Sequence, residues 1–127
     1  MINDNFSDLI ASLEISFGEL TEIIKALGNE SRLKIMILLL SQPQSYSNIV
    51  NEINLKKTAI SNHLTRLIRV GLIERGDYGI YEITGDGIEF LKAIESSYQN
   101  SPSRQLKNFQ KIERRKVSES FLNRFNI

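Results

Sequence analysis

The residues whose types and spacing best suit chemistry lie between positions 56 and 70. On a helix, Ile60, Leu64, Leu67 and Ile68 fall along one face, since neighbours three and four residues apart align. The opposite face carries hydroxyls and an amide with basic residues beside them, which suits the major groove of DNA. Asn bonds adenine bidentately there, and Ser and Thr read donors or acceptors. The candidate DNA contacts in this segment are Lys56, Lys57, Thr58, Ser61, Asn62, Thr65, Arg66 and Arg69.

Two lysines stand where this helix is expected to begin, a position that its dipole disfavours for positive charge. Neither Lys56 nor Lys57 supplies a capping side chain. A DNA phosphate bound at this end would offset the cost, because helix N-termini favour anions. The alternative is that the two lysines are exposed and the helix tolerates this cost. The polar face as a whole has a similar alternative, in which it is only a solvated surface.

The neighbouring elements must hold this helix in place, and their order is that of a winged helix-turn-helix. The hairpin adds two further candidate contacts, Arg75 and Tyr78, near its tip. The expected elements are a short helix capped by Ser45 or Ser47, a turn at Asn54-Leu55, a helix from Lys57 to Val70 ended by Gly71, and strands Leu72–Arg75 and Ile80–Ile83 joined by Gly76–Gly79.

The rest of the chain reads as helix, so the expected fold is mainly α with a small β-hairpin wing (α+β) and helical extensions at both ends. We expect residues 1–18 to form a dimerisation helix, 19–98 the winged helix-turn-helix domain and 99–127 a basic helical extension. The expected signals are a helix Phe6–Phe17 capped by Ser7, a helix from Glu19 to Leu27 ended by Gly28 at positive φ, a helix Glu30–Leu40 capped by Asn29, and a helix capped by Thr84 that runs to Tyr98.

Composition argues against most catalytic and metal chemistry. The chain has no cysteine and one histidine, His63, so thiolate ligands and cysteine nucleophiles are excluded. We expect His63 to be structural, and we expect no catalytic residue, metal or cofactor, and no enzyme. The N-terminus lacks a signal-peptide pattern and the longest apolar run is Ile35–Leu40, which is far too short for a bilayer. A cytoplasmic protein without membrane contact is the expectation.

Charge is distributed unevenly along the chain. Residues 1–30 carry one Lys against six acidic residues, whereas residues 101–127 carry seven basic against two acidic residues. The apolar residues of the tail also recur at helical spacing, unlike those of a disordered segment. Three readings of the tail stay open: a part in a dimer interface, packing on its own domain, or contact with flanking DNA.

Two motifs resemble the arsenic-repressor-like (ArsR) family of winged helix-turn-helix regulators. The segment KALGNESRLKIMILLL resembles the opening of that family's domain, and NLKKTAISNHLTRLIRVGLIER resembles its recognition helix and first wing strand. The segment YEITGDGIEFL also resembles the strand-to-helix join of MarR-type regulators. The resemblance implies DNA contact from Lys57, Thr58, Ser61, Asn62 and Thr65, and homodimers joined by terminal helices. It argues against a transition-metal sensor, because those members use cysteine or histidine clusters.

The function expected from the sequence is sequence-specific binding of double-stranded DNA by a homodimeric transcriptional repressor that reads an inverted repeat with helix 57–70. The alternative is a winged-helix module that binds proteins without specific DNA binding. The operator, the choice between activation and repression, and the existence of an effector stay open.

Overall fold

The structure is a computed structural model that describes residues 5–105 and residue 107. Within these residues, a three-stranded antiparallel sheet accompanies six α-helices. The helices are α1 (Ser7–Ile15), α2 (Phe17–Leu27), α3 (Glu30–Ser41), α4 (Tyr46–Ile53), α5 (Lys57–Arg69) and α6 (Gly85–Asn100), and the strands are β1 (Gln44–Ser45), β2 (Ile73–Arg75) and β3 (Ile80–Ile83). The expected tail helix, with Leu106, Phe109, Ile112, Phe121, Leu122 and Phe125, lies outside the described residues.

Helices α1 and α2 are nearly continuous, and their joint lies at Ser16. Hydrogen bonds from Ser16 N to Ser12 O and from Leu20 N to Ser16 O span the joint. The expected cap at Ser7 is wrong, because Phe6 occupies the N-cap position and no side-chain bond closes the helix. The expected gap between the helices Phe6–Phe17 and Glu19–Leu27 is displaced to Ser16, since Gly18 lies within the first turn of α2.

Helix α3 is the centre of the core. Ile35 and Met36 are fully buried, and the helix packs against α2, α4, α5 and β3. Asn29 caps it as expected, since its side chain accepts a hydrogen bond from Arg32 N at 3.0 Å. Gly28 ends α2, but with φ of −80°. The expectation of positive φ there is wrong, because a bond from Gly28 N to Ile24 O continues the helical pattern.

The helix-turn-helix follows the expected plan closely. Ser45 caps α4 by accepting from Asn48 N, and Asn54 makes the turn in the left-handed region at φ 62°. Helix α5 ends where Gly71 adopts φ of 78°, a conformation that glycine takes without steric cost. The two helices are therefore set against each other by a short connection with little freedom.

The wing contains one strand more than the sequence predicted. Strand β3 pairs with β2 in the expected hairpin, where Glu74 lies opposite Glu82. It also pairs with β1, where Gln44 lies opposite Tyr81. A two-residue strand gives no periodic signal, so the pattern of residues 42–45 indicated only the end of a helix. The consequence is that the start of α4 is tied directly to the wing.

The first turn of α6 packs against β3 and against the segment that joins α5 to β2. The Thr84 hydroxyl accepts from Gly87 N at 3.0 Å, which caps α6 as expected, and donates to Gly71 O at 2.7 Å. Thr84 thus joins the first turn of α6 to Gly71, which follows α5. Gly87 sits at a close approach, because a Cβ added there would lie 2.3 Å from Leu72 O and 2.7 Å from Ile83 Cγ1.

Gly87 supplies the first prediction. We expect Gly87→Ala to destabilise the fold by about 1–3 kcal/mol, as overpacking does, because the main-chain oxygen of Leu72 cannot yield like a flexible side chain. Gly85→Ala is the matched control in the same turn, since nothing lies within 4 Å of its added Cβ. Urea unfolding of both variants measures the difference. Equal stability of the two variants would contradict the close packing at Gly87.

Candidate nucleic-acid interface

Helix α5 presents one buried face and one exposed face. Ile60, Leu64 and Leu67 are almost completely buried, as the spacing predicted. Ile68 departs from this expectation: it is 39% exposed, because it lies at the margin of the apolar stripe near the helix end. The opposite face is open to solvent along its length and carries the exposed residues Thr58, Ser61, Asn62, Thr65 and Arg69.

The start of α5 carries positive charge in solvent. Lys56 occupies the N-cap position with no side-chain cap bond, and both it and Lys57 are exposed. The free backbone N–H groups at the start of the helix and the two ammonium groups therefore make the electrostatic potential positive at this end of α5. An anion such as a phosphate is the natural ligand for this combination.

A tyrosine that sequence analysis did not select joins α4 to α5. The Tyr46 hydroxyl donates to Lys57 O at 2.9 Å and lies 3.0 Å from Ser61 Oγ. Tyr46 is half-buried and packs against the core. The only sequence signal was an aromatic residue beside the Ser45 cap, which does not reveal a partner fifteen residues away.

Arg32 fastens the other side of α5 to the core. Its Nε donates to Ala26 O at 2.7 Å and its Nη2 donates to Lys25 O at 3.2 Å, which caps the end of α2. Its Nη1 lies 3.2 Å from His63 Nδ1 in the middle of α5. Arginine can only donate, so His63 accepts at Nδ1 and has the structural role that the sequence predicted.

The electrostatics of this contact favour a neutral histidine. Burial and the Arg32 charge both lower the pKa of His63 below its usual value of 6.5. Burial and the charge of Arg66 likewise lower the pKa of Arg32, although an arginine stays protonated in any ordinary buffer. Arg66 is half-buried beside this pair, so three basic groups stand close together at one edge of α5.

Arg69 lies apart from the lysines at the other end of the helix. Thirteen residues of helical rise separate it from Lys56 by about 20 Å. It lines a groove of about 560 Å³ with Glu19 and Glu22 of α2. The positive charge of Arg69 therefore has acidic neighbours on α2.

The wing brings the last two candidates together. The guanidinium of Arg75 lies 5.9 Å from the ring centre of Tyr81, and Tyr78 is fully exposed at the tip with φ of 61°. Both line a groove of about 470 Å³ that also contains Tyr46 and the start of α4. The wing and the beginning of the helix-turn-helix thus share one surface.

The described part of the chain has neither a metal-binding cluster nor a helix suited to a bilayer. It contains no group of three or more histidine, cysteine or acidic residues able to hold a metal ion. None of the helices in residues 5–105 is long and apolar enough to cross a bilayer.

Part of the chain is similar to known regulatory proteins. Residues 29–75 match the model of the family described as bacterial regulatory protein, arsR family. This range begins at the cap of α3 and ends with β2, so it contains the whole helix-turn-helix. Over these residues the chain is similar to the arsR family of winged helix-turn-helix regulators. The matched family is one of regulatory proteins, which agrees with the expectation that the chain is not an enzyme.

Individual relatives of this ArsR-like chain agree with the family match. The transcriptional activator HlyU of Vibrio cholerae is 31% identical over 64 residues, which are 50% of this chain and 59% of that relative. The crystal structure of HlyU from Vibrio vulnificus is 27% identical with a TM-score of 0.57, and the match covers 70% of this chain and 97% of that one.

A third relative is a homodimeric winged helix-turn-helix DNA-binding domain, a fragment of a possible ArsR-family regulator from Mycobacterium bovis. It is 26% identical with a TM-score of 0.60, over 78% of this chain and 92% of that one. These structures confirm the expected fold class. The ArsR-like chain spans only 59% of the length of its curated Vibrio cholerae relative.

The second prediction concerns the stability of this ArsR-like domain in acid. The pKa of His63 is lower in the folded protein than in the unfolded chain, so at mildly acidic pH the unfolded chain binds more protons. The contribution of His63 is therefore complete above about pH 6.5 and is lost as the pH falls through the folded pKa. We expect His63→Gln, which keeps an acceptor for Arg32, to lose less thermal stability between pH 7.5 and pH 5.5 than the natural chain.

Thermal unfolding of both proteins at several pH values measures this difference, and the comparison cancels the contribution of the carboxylates, which are common to both. Equal acid sensitivity of the two proteins would show that His63 does not titrate against Arg32.

Proposed function

We propose that the chain is a transcriptional regulator that binds double-stranded DNA in a sequence-specific manner, with α5 in the major groove. The observation that carries the proposal is the exposed polar face of α5, held rigidly by a buried apolar face and preceded by Lys56 and Lys57. The arsR-family match over residues 29–75 supports it. Such a regulator would work in the cytoplasm, where it meets the chromosome.

Each part of the surface has a chemical task under this proposal. Asn62 is the residue suited to bidentate recognition of adenine, while Thr58 and Thr65 offer hydroxyls to base edges and methyl groups to thymine. Lys56 and Lys57 bind phosphate at the helix start and set the register. Arg75 and Tyr78 place the wing beside the adjacent backbone, and Arg66 and Arg69 supply further positive charge.

The proposed assembly is a homodimer. Helix α1 has no buried residue, yet it carries an apolar stripe of Phe6, Leu9, Ile10 and Leu13, each between 42% and 53% exposed. A contiguous exposed stripe of this kind marks an interaction surface. The Mycobacterium bovis relative is described as homodimeric, which supports a second copy of the chain as the occupant.

A two-fold dimer would place two copies of α5 about 34 Å apart on one side of the DNA, so the expected site is an inverted repeat. Repression by covering a promoter is the direction that we propose. The Vibrio cholerae relative carries the name of an activator, so a reporter fused to the natural promoter must decide the direction. Deletion of the gene should raise reporter expression if the protein represses.

The third prediction separates base recognition from phosphate contact. We expect Asn62→Ala to cost about 1–3 kcal/mol against the preferred duplex and to relax the preference at one base pair. The double change Lys56→Ala and Lys57→Ala should weaken binding to all duplexes alike and lower the slope of log K against log salt by up to about two units. Fluorescence anisotropy at several salt concentrations measures both effects.

Matched controls lie on α6, away from the proposed surface. Asn100→Ala and Lys92→Ala remove the same kinds of exposed side chain and should leave binding unchanged. Equal binding of the natural chain to its preferred duplex and to a scrambled duplex would refute sequence-specific recognition. An unaltered base preference in Asn62→Ala would remove Asn62 from the bases.

The fourth prediction concerns the dimer. We expect Leu13→Glu to shift the full chain toward monomer, because it places a charge in the apolar stripe of α1. Ser12→Glu is the control, since it adds the same charge to the same helix outside the stripe. Sedimentation velocity gives the mass of each variant. A stable dimer in Leu13→Glu would exclude α1 from the interface and would turn attention to the tail.

A further inference from the structure

The hydroxyl of Tyr46 lies between the two helices of the helix-turn-helix and touches two groups on α5. It is 2.9 Å from Lys57 O and 3.0 Å from Ser61 Oγ. One of these groups is a backbone carbonyl, which can only accept a hydrogen bond. The other is a hydroxyl, which can donate or accept. The donor in one of these hydrogen bonds therefore determines the donor in the other.

Counting hydrogens fixes the direction of both bonds. A tyrosine hydroxyl carries a single hydrogen, and the bond to Lys57 O can form only if that hydrogen points to the carbonyl. The bond between Tyr46 and Ser61 must then use the hydrogen of Ser61, with the Tyr46 oxygen as acceptor. Tyr46 thus accepts the only hydrogen that the Ser61 side chain can donate.

The consequence appears on the exposed side of Ser61. A free serine hydroxyl can donate to guanine or thymine oxygens and accept from adenine or cytosine amino groups. With its hydrogen directed to Tyr46, Ser61 offers only lone pairs to the groove. Major-groove donors are the N6 amino group of adenine and the N4 amino group of cytosine. Sequence analysis treated Ser61 as able to read either kind of partner, because Tyr46 was not visible as its neighbour.

We propose that Tyr46 is a specificity-determining residue, which makes Ser61 an acceptor-only reader that selects adenine or cytosine over thymine or guanine on the strand that Ser61 faces. The inference rests on the proposed function, since it requires α5 to lie in the major groove. Tyr46 itself acts through Ser61 and is a positioning residue. Its ring is held by the core, so the direction of the hydroxyl is built into the fold.

The experiment compares base preferences in four full-length proteins: the natural chain, Ser61→Ala, Tyr46→Phe and the double variant. A high-affinity duplex is first selected from a random library with the natural chain. All four bases are then placed at each position of one half-site, and binding is measured by anisotropy. Circular dichroism confirms that each variant is folded.

We expect the natural chain to prefer adenine or cytosine at one position by about two- to tenfold, which corresponds to a single hydrogen bond. Ser61→Ala should remove this preference at that position alone. Tyr46→Phe should also shrink it, because the released serine hydrogen can now be donated to guanine or thymine. In the Ser61→Ala background, Tyr46→Phe should change no base preference.

Three results would overturn the inference, and they are distinct. A preference for thymine or guanine at the Ser61-dependent position would contradict the assigned direction. A uniform loss of affinity in Tyr46→Phe with unchanged base ranking would leave Tyr46 with only its structural bond to Lys57. An unchanged base profile in Ser61→Ala would remove Ser61 from the bases.

Absence of any sequence preference in the natural chain is a separate result, and it would refute the proposed function together with this inference. If Tyr46→Phe does not fold, the comparison between the natural chain and Ser61→Ala still tests the acceptor-only rule.

Discussion

The burial of one face of α5 is the constraint on which the rest of the structure depends. Ile60, Leu64 and Leu67 are almost completely removed from water, and each contributes roughly 1.5–3 kcal/mol by the usual transfer value. That burial fixes the rotation of the helix about its axis. Because the polar residues lie on the opposite face, their direction into solvent follows from the packing and needs no separate support.

Hydrophobic burial sets the rotation, whereas polar contacts to the core set the position along the axis. Tyr46 holds the first turn through Lys57 O, Arg32 holds the middle through His63, and Thr84 holds the end through Gly71 O. These three contacts come from three different elements: α4, α3 and the β3–α6 join. Displacement of any one element would therefore shift α5 against the others, which couples the reading face to the whole domain.

The sequence was sufficient for what depends on local periodicity and caps. Asn29, Ser45 and Thr84 cap the helices that their positions predicted, and the apolar spacing predicted the buried face of α5. Long-range contacts could not be predicted from the sequence. Strand β1 is too short for any pattern, and neither Tyr46 nor Arg32 differs in sequence from an ordinary surface residue. Gly28 shows a further limit, since the hydrogen bond from Gly28 N to Ile24 O continues the helical pattern and its φ stays negative, although glycine is free to take positive values.

The charge around α5 links stability to the proposed binding. Lys56 and Lys57 stand at the end of the helix where the dipole opposes them, and Arg66 lies near enough to Arg32 to lower its pKa. Both arrangements cost the free protein some electrostatic stability. A polyanion on this face would relieve both costs, so DNA that binds the folded state alone would also stabilise the fold by mass action. The same positive charge that makes the isolated domain less stable would then contribute to its affinity for DNA. Replacement of these basic residues by neutral ones would therefore raise the stability of the free protein and lower its affinity for DNA.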